Sequence, residues 1–518
     1  MAAERQRVVV IGAGVGGLCA AVALAHAGCA VTVVETAAVP GGKMRTLPTA
    51  AGPADAGPTV LTLRPVFDAV FALAGERLDD RLTLHPQPVL ARHWWDGGAT
   101  LDLHADPAAS RAAVAAAFGA TAGDDFAAFD RATATAFAAF DAPVMQAPRP
   151  SVPGILRAAL TTPALWPMLA PGRTLDGYLR RAFREPRLRQ LFGRYATYVG
   201  GVPQQVPAVL ALIWQAEAAG VWVVDGGMHR LAAALAALAE AGGARFRFGT
   251  RAERLGLADG RVQGVALSDG TTLRADHILH AGDPRALAEG LLGPAATAAL
   301  PRRATDPRSL SARVWSFAAS PRGRDLLHHN VFFTPDPAAE FGALAQGRSP
   351  EAASFYVCAL DRGSGRPPPP VERFEIILNA PPNADPDPDE DARCHAMMLT
   401  TLARHGLTFT PVPGPETMTS PQGFAALFPG SQGAIYGRSP AGTLAAFLRP
   451  GAQTRVPGLW IAGGGAHPGA GVPMAARSGL HAAAAILRDL PSTSPSGRTA
   501  MPGGMSTASR TTGSVPSR

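Results

Sequence analysis

Three glycine clusters, with a few acids and histidines, hold the chemistry that residue types and spacing offer in this chain. Gly12, Gly14 and Gly17 form G-x-G-x-x-G inside V-V-V-I-G-A-G-V-G-G-L, and Glu35 closes the next apolar run. Glycines so spaced permit a tight turn, close backbone approach to a pyrophosphate and close helix–strand packing. An acid after the second strand accepts hydrogen bonds from ribose hydroxyls. Gly12, Ala13, Gly14, Gly17 and Glu35 are therefore candidate dinucleotide contacts. P-G-G-K-M-R at 40–45 follows, where Gly42, Lys43 and Arg45 suit a cofactor phosphate. D-A-G-P-T-V at 55–60 adds Gly57, Pro58 and Thr59. Near the other end, Gly463 and Gly464 follow an apolar run, and Val472, Pro473 and Met474 open a helix pattern. Proline at a first helical turn loses no hydrogen bond, and the free N–H groups there favour negative charge.

Candidate proton carriers are sparse. His467 lies within the closing glycine-rich string, and Glu217 follows Trp214 in a helical pattern. His328 and His329 are adjacent in a strand pattern, so alternation sends only one of them toward a given pocket, where it could also recognise a hydroxyl on the substrate. No metal is expected. Cys19, Cys29, Cys358 and Cys394 form no C-x-x-C, and the acidic run at 385–391 lacks the spacing and glycine of a calcium loop. That run reads as an exposed N-cap before a helix over 392–405.

The elements that must position these residues begin with a β-α-β unit: Val8–Ile11, an alanine-rich helix, and Val31–Val34. Arg5 and Arg7 before an apolar stretch also resemble an export signal, but five early glycines and His26 argue against one. Helical spacing covers 64–80 and 106–141. Residues 147–173 mix prolines, arginines and apolar residues, and read either as an amphipathic membrane-contact segment or as a buried, kinked helix pair. A strand, glycine turn and helix start occupy 220–231, and a β-meander feeding a parallel strand occupies 245–280. Strands are expected near 310–318, 329–334, 354–360 and 373–379, with a last one over 459–462. The tail from 491 has no periodicity and is expected to be disordered.

The chain has 518 residues, 47% hydrophobic and 17% charged, which allows two or three domains and leaves apolar surface over. This composition suits an enzyme that touches a membrane or an oily substrate. Net charge is +7, carried largely by arginines spread along the sequence. Without a basic block interleaved with aromatics, nucleic acid is not an expected partner. The charge fits anionic lipid heads, or a genome that prefers arginine and alanine. The cysteines read as small core residues in a reducing, cytoplasmic setting.

The string at 12–18, G-G-K-M-R, D-A-G-P-T and the closing H-P-G-A-G-V-P-M-A resemble carotenoid desaturases of the phytoene-desaturase type, FAD enzymes related to the amine oxidases. The resemblance covers about 6 to 488. H-H-N-V-F-F-T-P-D (328–336), F-Y-V-C-A-L-D-R (355–362) and Met474 are more similar to the hydroxycarotenoid branch of photosynthetic purple bacteria. One departure is Ala252, where the family presents a valine backbone to adenine. The resemblance implies an α/β fold: a Rossmann-like FAD-binding domain, of amine-oxidase or glutathione-reductase type, carrying an inserted α+β substrate domain. The FAD-binding domain is expected from 1–75, 220–300 and 450–490, and the substrate and membrane-facing domain from 76–219 and 301–449. It implies an oxidoreductase on CH–CH bonds, a 3,4-desaturase of 1-hydroxy acyclic carotenoids. Thr59 then meets the flavin edge, and Gly463, Gly464 and Val472–Met474 clamp the flavin. Electrons leave to quinone or oxygen, and the protein sits peripherally on the inner or intracytoplasmic membrane. Rival readings are a phytoene or neurosporene desaturase, a carotenoid isomerase and a prenyl-lipid escort.

Overall fold

The computed structural model describes residues 5–490, apart from 384, 386 and the side chain of 446. The tail expected to be disordered, 491–518, lies outside the described residues. A five-stranded parallel sheet has the order Leu459–Ile461, His277–His280, Arg7–Ile11 (β1), Ala30–Val34 and Arg245–Arg247. The middle strand is apolar on both faces: Val8, Val9 and Val10 are at most 2% exposed. That continuous valine run is what a strand covered on both sides requires.

The helix after β1, Val15–His26 (α1), buries ten of its residues. Its neighbours are the last helix, Val472–Asp489, and the helix His229–Ala241. Glycine sets how close they come. A Cβ on Gly479 would lie 2.1 Å from the Gly16 carbonyl oxygen, and one on Gly16 2.7 Å from Gly463. The final helix therefore packs onto the start of α1, bringing the first and last glycine strings together. The meander Ala252–Ala258, Arg261–Leu267 and Thr272–Arg274 forms a three-stranded antiparallel sheet leading into His277–His280.

A second, eight-stranded sheet is mixed. Its spine runs Thr408–Thr410, Ser311–Arg322, Glu372–Ala380, Phe355–Ala359, His329–Phe332, Val89–Trp94 and Thr100–His104, with Met418–Thr419 also paired to Ser311–Arg322. One face packs on helices of 107–218, whose core includes Phe126, Phe129, Phe183, Phe192 and Trp214. Phe129 and Phe192 have ring centroids 4.6 Å apart.

Two local expectations differ from the structure. The helix placed at 392–405 starts earlier, at Pro388, and Asp387 caps it by accepting from the Glu390 N–H at 2.9 Å. The acidic run is also more than an exposed cap. Glu390 and Asp391 close on the buried Arg313 guanidinium at 2.6 and 2.8 Å. In 147–173, the helix Val152–Thr161 has no buried residue, whereas Leu165 and Met168 beyond it are buried.

Candidate functional site

The nucleotide end is built mainly from backbone. The Gly12 N–H donates to the Val34 carbonyl at 2.8 Å, closing the turn after β1. A Cβ on Gly17 would lie 2.1 Å from the Gly12 carbonyl oxygen, so only glycine lets α1 start there. Gly14, by contrast, faces open space where a Cβ would meet nothing within 4 Å. It is the N-cap of α1, with no side-chain cap bond and no acid in the first turn. Free N–H groups beside an open cradle fit a pyrophosphate. Glu35 Oε2 accepts from the Ala13 N–H at 2.7 Å and Oε1 from the Ala37 N–H at 2.8 Å. Its main chain bonds the segment leading to Ala252, through Arg247 and Thr250.

The middle and closing strings meet beside this cradle. Gly41 bridges Gly14, and a Cβ on Gly42 would lie 3.1 Å from Gly14. Gly464 faces open space, as does Gly471, the uncapped N-cap of Val472–Asp489 with Pro473 in its first turn. Arg449 Nη1 donates to the Gly464 carbonyl at 2.6 Å. Desolvation pushes the Lys43 ammonium below its usual range, with Asp283 opposing and Arg308 and Arg449 adding to the fall. Desolvation likewise lowers Arg449 to about 10. Three cations thus share one carboxylate, Asp283, which is ion-paired to Arg308. An anionic group at this place completes the charge balance, as FAD would. Arg45 takes another direction: it donates to Thr419 Oγ1 at 2.5 Å and lies over the Phe424 ring.

Gly57, Pro58 and Thr59 connect this cradle to the mixed sheet. A Cβ on Gly57 would lie 1.8 Å from the Lys43 carbonyl oxygen, and the Gly57 N–H donates to Glu375 Oε2 at 3.2 Å. Glu375 is fully buried, and desolvation beside Asp55 holds its carboxyl well above the usual range. Thr59 Oγ1 and His329 Nδ1 each lie 2.7 Å from the Tyr356 hydroxyl. Desolvation, with His328 adding, holds His329 far below the usual histidine range, so its ring is neutral. His329 Nε2 is buried without a hydrogen-bond partner among the described residues.

The two histidines do not separate as alternation predicts. The strand begins at His329, so His328 stands before it and the rings pack 4.5 Å apart. The Arg362 carbonyl lies 2.8 Å from His328 Nδ1 and takes the proton there, leaving Nε2 to accept from the Cys358 thiol at 3.3 Å. Ligand-capable atoms of His328, His329 and Cys358 lie within 4.8 Å of one another, a juxtaposition no sequence spacing announced.

His467 and Glu217 sit elsewhere. The His467 ring is buried, and its Nε2–H donates to the Ala147 carbonyl at 2.9 Å, which ties the closing string to the 141–147 turn. Glu217 is buried in the helical core and accepts from the Tyr195 hydroxyl at 2.6 Å. Desolvation raises its carboxyl, against the pull of Tyr195, Tyr198 and Arg194. Sequence reading missed Tyr356, Glu375, Arg194, Arg308 and Arg449. One signal was available: Glu375 interrupts the apolar run F-E-I-I-L, where both strand faces are buried.

With this geometry in view, the likenesses to known proteins are as follows. A family profile described as flavin containing amine oxidoreductase matches residues 15–313. A hydroxyneurosporene desaturase of Cereibacter sphaeroides is 57% identical over 488 residues, covering 94% of this chain and 99% of that one. A protein of the same name from Rhodobacter capsulatus is 52% identical, covering 93% and 98%. A lycopene-forming phytoene desaturase of a Paracoccus species is 29% identical, covering 93% and 98%. Among solved structures, a putrescine oxidase shares the fold at 16% identity with a TM-score of 0.59, covering 93% of this chain and 99% of its own.

Proposed function

This chain belongs to the flavin-containing amine oxidoreductase family, among its carotenoid desaturases, and from that premise we propose that it introduces the 3,4 double bond into 1-hydroxy acyclic carotenoids such as 1-hydroxyneurosporene. The observation that carries this reading is the 57% identity to a hydroxyneurosporene desaturase across nearly both chains, against 29% to a lycopene-forming phytoene desaturase. Its cofactor is FAD. Gly12, Ala13, Gly14, Gly17 and Glu35 hold the nucleotide, with Ala252 beside the adenine. Gly42, Lys43, Gly57, Pro58, Thr59, Gly463, Gly464, Val472, Pro473 and Met474 hold the phosphate-to-flavin stretch, and Arg45 borders it.

When bound, FAD would supply the redox chemistry, as acceptor of the hydride equivalent that one of two adjacent saturated carbons loses. The neighbouring carbon gives up a proton as the double bond forms. Of the three candidate carriers, His467 and Glu217 are engaged by Ala147 and Tyr195, while His329 keeps a free Nε2. We assign the proton to that atom. The neutral ring offers its Nε2 lone pair to that proton, against the cost of charging a desolvated imidazole, and the Tyr356 hydroxyl fixes the ring's orientation.

The substrate is membrane-soluble, and no helix among the described residues is long and apolar enough to cross a membrane. Val152, Leu156, Leu160 and Trp166 are 53 to 78% exposed, the first three on one stripe of Val152–Thr161. Leu444, Phe447 and Leu448 are also exposed, and Gly451 lies against Arg149 and Pro148, next to that helix. This face, with Arg149 and Arg157 beside it, is the membrane-contact surface of a peripheral protein. Replacing Leu156 and Leu160 by Glu should release flavin-loaded protein from anionic liposomes. Electrons pass on to quinone or oxygen. Supplying each alone, with 1-hydroxyneurosporene in liposomes and product mass as readout, tests reaction and acceptor together.

A further inference from the structure

Among the described residues, the side chains of Arg313 and Arg308 are buried against acids, whereas Arg194 and Arg438 are buried without an ion pair, and Arg438 donates instead to the Arg303 and Ser439 carbonyls. Arg313 has Glu390 and Asp391, and Arg308 has Asp283. Arg194 is 8% exposed, makes no ion pair among the described residues, and has a buried Nε without a hydrogen-bond partner. Its guanidinium carbon lies 5.7 Å from the Tyr198 ring centre and 5.8 Å from that of Tyr356. The titratable groups that feel it are the neutral phenols of Tyr195, Tyr436 and Tyr198, the last hydrogen-bonded to it, His93, which desolvation lowers to about 4, and two acids, Glu217 and Glu340, whose carboxyls desolvation raises and Arg194 pulls back down. A desolvated cation with no acid in ion-pair contact is incompletely compensated. A neutral oxygen from outside the chain offsets part of that deficit by accepting a charge-assisted hydrogen bond.

Location narrows which oxygen. Tyr356 touches both Arg194 and Thr59, so the lone cation stands one ring away from the loop that meets the flavin edge. In a 1-hydroxy carotenoid, the oxygen lies roughly 4 Å from carbon 3 at ordinary bond lengths. Any group that reads this hydroxyl must stand beside the reacting carbons, and a tertiary alcohol entering a dry pocket needs such a partner.

We propose that Arg194 is the residue that selects hydroxylated substrates, its guanidinium donating to the hydroxyl oxygen while Tyr198 and Tyr356 wall the subsite. This rests on the hydroxycarotenoid reading above. A hydrogen bond from a charged donor corresponds to about 10- to 100-fold in specificity. The test uses flavin-loaded full-length protein in liposomes with 1-hydroxyneurosporene and neurosporene, for the wild type, Arg194→Met and Arg194→Lys. Flavin content reports folding, and visible band shifts report carotenoid binding. Arg194→Met should lose about 10- to 100-fold in kcat/KM and in affinity for the hydroxylated chain, with neurosporene unchanged. Arg194→Lys should recover part of the loss, and it carries the test if the Met variant fails to fold. Equal losses on both chains would give Arg194 a structural or polyene-stacking role and overturn the proposal, as would no loss on either. If the wild type turns over neither carotenoid, the desaturase reading falls and binding alone decides: an Arg194-dependent preference for the hydroxylated chain supports the proposal, and equal affinities overturn it.

Discussion

Around the parallel sheet, the groups offered to a ligand are mostly main-chain N–H groups and the open space beside Gly14, Gly464 and Gly471. Around the mixed sheet, they are side chains: Tyr356, His329, Glu375 and, from the helical layer, Arg194. The first site is fixed by where Cβ atoms are forbidden. The second is fixed by polar groups buried at a cost. A cofactor common to many chemistries needs only the first, whereas choosing one oily substrate needs the second.

The sharpest way to break this contrast is Gly17→Val. Its Cβ would fall on the Gly12 carbonyl, so the expected loss is at least about 3 kcal/mol together with flavin incorporation. Flavin content and thermal unfolding would read it. A Gly17→Val protein that keeps its flavin would remove the backbone argument. A second contrast lies among buried charges. Arg313→Met strands Glu390 and Asp391, whose partial exposure keeps the expected loss near the lower end, about 3 kcal/mol. Arg194→Met breaks no ion pair, though it removes the cation that pulls the Glu217 and Glu340 carboxyls down, so denaturant unfolding should show a smaller loss than for Arg313→Met, about 1 kcal/mol.

A smaller effect separates the regions by pH. Desolvation raises the Glu340 carboxyl from 4.5 to about 7, while Ser354 donates to it from N–H at 3.1 Å and from Oγ at 2.8 Å. The unfolded chain releases this proton near pH 4.5 and the folded chain near 7. Wild-type stability should therefore fall across that window by roughly 3 kcal/mol and level off above it. In Glu340→Gln, urea titrations should lack that slope. The least effect is expected at Gly342, in the helix Pro337–Ala345, where a Cβ meets nothing within 4 Å. Gly342→Ala should add about 0.5 to 1 kcal/mol, which marks it as a glycine without a site to serve.

These cases also explain what the sequence made legible. The β-α-β unit could be read because Gly12, Gly14, Gly17 and Glu35 are local in the chain, and their spacing is the geometry itself. The return to the same sheet at 277–280 and 459–461 was readable from short apolar runs after turns. The Tyr356–Thr59–His329 network was not, because it joins residues up to 297 apart through a register that only the folded sheet sets. His328 and His329 show the limit of period-two reasoning, since one residue's shift in strand start put both rings together. The acidic run at 385–391 reads as a cap, and Asp387 is one. Arg313, which claims Glu390 and Asp391, lies about eighty residues upstream and gave no local sign.

The most direct test of the central claim is the mass of the product formed by flavin-loaded protein in liposomes from 1-hydroxyneurosporene and neurosporene offered together. The account predicts that the hydroxylated chain loses two hydrogens first, with a red-shifted spectrum. Preferential loss from neurosporene, or a product of unchanged mass, would contradict it.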